Sequence, residues 1–188
     1  IDHGTKGKDI AESPVDSPND VSATEFVSTI SKDVKDLLLQ SIIQNTTAFE
    51  GEAGGPDPFI GSKTETALLG FARDYLGMGN VSQERSNANV AQVIPFDSAI
   101  KCSGAVVKLN NGQYRMYVKG ASEILLAMCD KIVTDANKEL IEAPLTSDNR
   151  ETLEQIITTY ASRSLRTIGL IYPCLLYTSL SGLARQTG

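Results

Sequence analysis

The chain has 188 residues, with 17 Lys and Arg against 23 Asp and Glu for a formal net charge of −6, and 41% hydrophobic against 21% charged residues. That is the composition of one globular domain with enough apolar content for a core, and its acidic balance argues against binding along a nucleic-acid backbone, which needs clustered cations to displace counterions. Cys102, Cys129 and Cys174 form no C-x-x-C pair and His3 is the single histidine, which disfavours zinc ligation, a disulfide framework and histidine-assisted catalysis; no apolar run reaches the roughly 18 residues of a membrane span.

Residues 1–21 are rich in Gly, Ser, Pro, Asp and Lys and read as a flexible lead-in. Ser22 and Glu25 then stand at capping-box spacing, and Val27, Ile30, Val34, Leu37, Leu38 and Ile42 fall on one helical stripe that predicts a helix stopping at Asn45. Next comes "GGPDPFIGSKTETALLGFA", Gly54 to Ala72. It has the look of a phosphate-binding loop, but a P-loop places its lysine directly after the last glycine, and here Ser62 separates Gly61 from Lys63. Pro56 and Pro58 also withdraw two of the N–H donors that would cradle phosphates. Ser62 and Glu65 instead repeat the capping spacing ahead of Ala67, Leu68, Phe71, Ala72 and Tyr75, with Gly77 placed to close that helix.

After a polar loop the period changes to two. "VAQVIPF" from Val90, "GAVVKL" from Gly104 and "QYRMYVK" from Gln113 predict strands, the last two joined as a hairpin through Asn110-Asn111-Gly112. Alternation puts Arg115, Tyr117 and Lys119 on one face of the third strand and Tyr114, Met116 and Val118 on the other. A short helix ("ASEILLAMC"), a hairpin around Asp135-Ala136-Asn137, a longer helix with Leu153, Ile156, Ile157 and Tyr160 on one side, and the strand "LRTIGLIY" complete the pattern. Antiparallel strands with short turns and interspersed helices define an α+β domain over 22–172, an antiparallel sheet flanked by helices. Residues 173–188 show no clear period and are expected to be disordered or foreign to the protein.

Three segments, "IPFDSAIK", "MYVKGASE" and "RSLRTIGL", each set a polar or aromatic side chain at the end of an apolar element. A ring able to stack on a base, Phe96, with the cations Lys101, Lys119 and Arg166 and the small pair Gly120-Ala121 is a minimal nucleotide site. By residue type alone, a core ring, solvated lysines and a surface arginine fit the same positions, so both readings stand at this point.

"FIGSKTETALLGFA", "IPFDSAIKCSG", "YRMYVKGASEILL" and "RSLRTIGLIY", in this order and at these separations, resemble the nucleotide-binding domain of P-type ATPases, and within them the plasma-membrane-type calcium pumps that include the fungal vacuolar ones. The resemblance covers about Ser22 to Tyr172. It implies that Phe96 stacks on adenine, that Glu65 holds the adenine amino group, that Gly120 and Ala121 form the floor beside Lys119, and that Lys101, Lys119 and Arg166 reach toward the phosphates. It further implies ATP, carried as MgATP with the magnesium ligands mostly outside this chain, and the phosphorylation, actuator and transmembrane domains of the same pump as partners. Calcium would be the transported ion, and the domain would be the cytosolic part of an integral protein of the vacuolar or plasma membrane.

The departures are equally specific. The family's phosphorylated aspartate lies in D-K-T-G-T, and Asp130-Lys131-Ile132-Val133-Thr134 is a decoy with Ile and Val in place of Thr and Gly. The T-G-D and G-D-G-x-N-D segments are absent, and Lys101-Cys102-Ser103-Gly104 stands where the family has K-S-M-S. The chain is therefore expected to be a fragment that binds ATP without turning it over. Two alternatives remain open from sequence: a P-type ATPase for another cation, since ion choice lies in membrane helices, and a non-catalytic α+β interaction module.

Overall fold

The computed structural model describes residues 21–53, 55–134 and 136–175. The lead-in through residue 20 and the tail from residue 176 lie outside the described residues.

Helix α1 (Ala23–Thr29) starts where expected, with Ser22 Oγ accepting from the Glu25 amide at 3.1 Å. The single helix expected from the stripe is instead two. Ile30 is extended (φ −79°, ψ 147°), and α2 (Lys32–Gln44) restarts behind Ser31, whose side chain accepts from the Val34 amide. The Ser31 amide itself donates to the Ala136 carbonyl at 2.7 Å, a tertiary bond that takes it out of the helical ladder. The apolar stripe runs on across the break because Ile30 and Val34 are both buried, so periodicity alone cannot register it.

Two-residue strands β1 (Phe49–Glu50) and β2 (Phe59–Ile60) pair ahead of α3 (Lys63–Tyr75), which Ser62 caps by accepting from the Glu65 amide at 3.3 Å. Gly77 follows the end of α3 at φ 71°, a left-handed conformation open to glycine at little cost. The stretch read as a polar loop contains α4 (Val81–Ser86), capped by Asn80, with Glu50 accepting from the Val81 amide. These elements enclose the main apolar cluster of Ile42, Ile43, Ala48, Phe59, Leu69, Ala72, Met78 and Val81.

The sheet consists of β3 (Asn89–Asp97), β4 (Cys102–Lys108), β5 (Tyr114–Ala121) and β8 (Ile168–Ile171), antiparallel in the order β3-β4-β5-β8. The α+β architecture is as expected. Strand β9 (Cys174–Leu175) pairs with the start of β5, so paired structure reaches past Tyr172. Tyr117 packs with Leu37 of α2 and Val107 of β4, which seats α2 on the sheet face that Tyr117 shares with Lys119. Helix α5 (Ser122–Met128) follows β5 directly, and β6 (Lys131–Thr134) and β7 (Ile141–Pro144) form a separate hairpin. Helix α6 (Ser147–Ser162) buries none of its residues, although its sequence carries an apolar side. It is held from its first turn, where Arg150 donates to the carbonyls of Leu126 and Cys129 at 2.6 and 2.8 Å.

This distribution of packing has a measurable consequence. Leu69 is 0% exposed and Ile156 44%. Leu69→Ala should therefore lose about 2–5 kcal/mol in urea unfolding, and Ile156→Ala less than about 1 kcal/mol. Equal losses would contradict the placement of the core.

Candidate functional site

The seven residues singled out from sequence, Glu65, Phe96, Lys101, Lys119, Gly120, Ala121 and Arg166, all line one cleft of about 770 Å³. It opens between the sheet, the first turn of α3 and the loop that follows α2. Its deepest polar feature is an ion pair. Lys119 Nζ, near the end of β5, lies 2.7 Å from Glu65 Oε1, and the two side chains are 11% and 12% exposed. Glu65 is also gripped by Thr47, whose amide donates to Oε1 at 3.0 Å and whose hydroxyl donates to Oε2 at 2.9 Å. Burial alone pushes the Glu65 carboxyl up, but the Lys119 ammonium and the two Thr47 donors outweigh it and hold the group below its usual range.

Lys119 also donates to the backbone carbonyl of Asn45, the residue that ends α2. The Asn45 side chain is itself locked. Its Nδ2 donates to the carbonyls of Ser103 and Tyr117 at 3.1 and 3.3 Å, and its Oδ1 accepts from Ser103 Oγ at 3.3 Å. Sequence reasoning gave Asn45 as a helix stop and placed neither it nor Thr47 in the site. It also missed Arg85, which enters the cleft from the unrecognised α4. Nothing local marks Asn45 and Thr47, because their partners lie on other strands and helices.

Phe96 is 65% exposed and stands where β3 leaves register with β4 between Ile94 and Asp97. That irregularity turns the ring out of the sheet instead of into a core. Lys101 ends the β3–β4 turn in the left-handed region, φ 50°, and its carbonyl accepts from the Ala121 amide at 3.1 Å. The turn is thereby tied to the Gly120-Ala121 floor. A Cβ on Gly120 would meet the Lys101 carbonyl oxygen at 2.6 Å and Cys102 Cβ at 2.7 Å, so only glycine allows this approach. Arg166 precedes β8 and is exposed, with the neighbouring Thr167 hydroxyl accepting from Ser122 Oγ at 2.6 Å. Lys119 lines the cleft together with Lys101 and Arg166, and its ammonium is bonded to Glu65 and to the Asn45 carbonyl. Asp130 lies between α5 and β6, away from the cleft lining.

A family model described as the P-type ATPase cytoplasmic domain N matches residues 33–185. The chain is similar to Calcium-transporting ATPase 2 of Cryptococcus neoformans, 40% identical over 148 residues, covering 76% of this chain and 10% of that protein. It is 37% identical over 157 residues to Calcium-transporting ATPase 2 of Schizosaccharomyces pombe, covering 81% of this chain and 12% of that one. Putative calcium-transporting ATPase 11, plasma membrane-type, of Arabidopsis thaliana is 35% identical over 161 residues, 85% of this chain and 15% of that protein. The chain thus belongs to the P-type ATPase cytoplasmic N-domain family, and it spans between 10% and 15% of the length of these three relatives.

The depressed Glu65 carboxyl links stability to pH with a definite sign. Its contribution is fully present above the ordinary carboxylate pKa of the unfolded chain and is lost as pH falls through the lower folded value. Urea unfolding of wild type and Glu65→Gln should differ by a constant amount near neutrality and converge in acid. A difference that grows as pH falls would show that the carboxyl is raised, not lowered.

Proposed function

We propose that this chain binds ATP in the cleft and presents the γ-phosphoryl group for transfer to an aspartate on a neighbouring domain of a calcium-transporting P-type ATPase. The observation that carries the reading is the convergence on one cleft of an exposed ring, a buried carboxylate and solvent-exposed cations. The cleft volume, about 770 Å³, suits a ligand of nucleotide size. Phe96 offers its ring face to a base. Glu65, held as a carboxylate, is acceptor-only, and three of its roughly four acceptor positions are filled by Thr47 and Lys119, which leaves room for one amino donor from adenine. Lys119 keeps Glu65 charged and flanks the base end, while exposed Lys101 and Arg166 suit the phosphates.

Magnesium would arrive on the triphosphate, with its protein ligands mostly outside this chain. When bound, magnesium supplies charge neutralisation at the transferred group. What this chain contributes is positioning of the nucleotide and charge on its phosphates, the effects that dominate phosphoryl transfer. The calcium assignment rests on the names of the similar proteins, and the domain would then be the cytosolic part of a pump in the vacuolar or plasma membrane. Its partners would be the phosphorylation, actuator and transmembrane domains of the same protein.

Calorimetry with ATP tests the reading. Binding should saturate, and Phe96→Ala should weaken it roughly tenfold with the fold intact, since the ring is 65% exposed and supports no core. Labelled ATP should leave no phosphoenzyme on the chain. Unchanged affinity in a folded Phe96→Ala variant, or a phosphoenzyme lost on mutating Asp130, would overturn the proposal.

A further inference from the structure

Thr47 has no role in the ATP-binding reading beyond touching Glu65, yet it makes the more specific of the carboxylate's contacts. Lys119 bonds one oxygen, Oε1, through an ammonium whose three donors rotate freely about the Cε–Nζ bond. Thr47 bonds both oxygens, through its amide at 3.0 Å and its hydroxyl at 2.9 Å. Two donors from one residue to two oxygens of one carboxylate fix the plane of that carboxylate, as a single ammonium cannot.

The fork is mounted on a stiff base. Asn45 is fastened to β4 and β5 by its side chain, and the Thr46 hydroxyl accepts from the Ala48 amide at 3.2 Å, with Asn45, Thr46 and Ala48 all buried. Thr47 itself is exposed, so its side chain serves the cleft and not the core.

We propose that Thr47 is a positioning residue that sets the base preference of the cleft, holding the Glu65 carboxylate so that its remaining acceptor direction accepts a purine 6-amino group and repels a 6-oxo group. The claim rests on the ATP-binding reading above. Without the hydroxyl, Oε2 has no protein donor. The carboxyl can then turn, and it takes up a proton more readily because burial already favours its neutral form. A protonated carboxyl offers an O–H to a 6-oxo purine, a turned one no longer aims its acceptor at the 6-amino group, and in either case the discrimination narrows. The charged groups facing Glu65 in the cleft are Lys119 in contact, with Arg85, Lys101, Glu123 and Arg166 along the walls.

The test compares ATP with inosine triphosphate, which replaces the 6-amino by a 6-oxo group, and follows the Glu65 side-chain carbon by NMR in the nucleotide-free protein. Wild type should prefer ATP by roughly tenfold, and Thr47→Val, close in shape, should lose roughly fivefold of that preference while its Glu65 midpoint rises. Thr47→Ser, which keeps the hydroxyl, should behave as wild type in both measurements. In a Glu65→Gln background, Thr47→Val should change the ratio no further, a result that general loosening of the fold would not produce. A wild-type ratio in Thr47→Val, whatever its titration, overturns the proposal while leaving ATP binding in place. If wild type shows no saturable ATP binding although Thr47→Val still raises the Glu65 midpoint, the ATP-binding reading fails and the base preference falls with it.

Discussion

The side chain of Asn45 joins the helical layer to the sheet. A helix that ends in a protein interior leaves carbonyls without partners, and α2 ends against the middle of the sheet, where water cannot serve them. The Asn45 amide meets the carbonyls of Ser103 on β4 and Tyr117 on β5, while its own backbone carbonyl takes the Lys119 ammonium. Helix end, two strands and the cleft lysine are thereby fixed relative to one another by one residue. The loop leaving Asn45 then delivers Thr47 to Glu65, and α3 delivers Glu65 to Lys119. This end of the cleft is a chain of contacts through Asn45, Lys119, Glu65 and Thr47.

Burying a lysine and a carboxylate is a poor way to gain stability. The desolvation cost of the two charges roughly offsets their attraction unless further hydrogen bonds satisfy them, and an apolar pair of similar volume would often do as well. Here further bonds are present on both partners, and both face a cleft. The arrangement makes sense as preorganisation: a carboxylate held ionised and oriented in a poorly hydrated site gives up little freedom when a ligand arrives. The other end of the cleft is built differently. Phe96, Lys101 and Arg166 are exposed on turns and strand ends, and of these Lys101 is anchored through its backbone by the Ala121 amide. One end is tied together by hydrogen bonds, and the other stands on turns and strand ends.

Much of this was legible in the sequence, and the parts that were not share a cause. Ser22 and Ser62 announced their helices because capping is a contact between residues three apart. The alternation of Tyr114 to Lys119 gave the strand and its two faces because a pleat is local. The break between α1 and α2 was hidden because Ser31 is drawn to Ala136, far along the chain. Helix α4 was hidden because a single residue of its six, Val81, is buried, which leaves no stripe to read. The seven residues grouped from sequence, by motif resemblance more than by pattern, do line one cleft. The partners of Glu65 and Lys119 were not legible. Asn45 looked like a helix stop because that is its local role, and its tertiary role leaves no trace in spacing.

The proposed function makes the chain of contacts around Glu65 the base end of an ATP cleft. The most direct measurement is an NMR titration with ATP that follows the backbone amides of Thr47 and Gly120 together with the Lys119 side-chain ammonium. All three should move along one saturation curve. A smaller cavity of about 270 Å³ lined by Asp33, Asp36 and Arg115 lies elsewhere on the domain. Saturable shifts confined to those residues, with Thr47, Gly120 and Lys119 unmoved, would show that ATP does not bind at the Glu65 contacts.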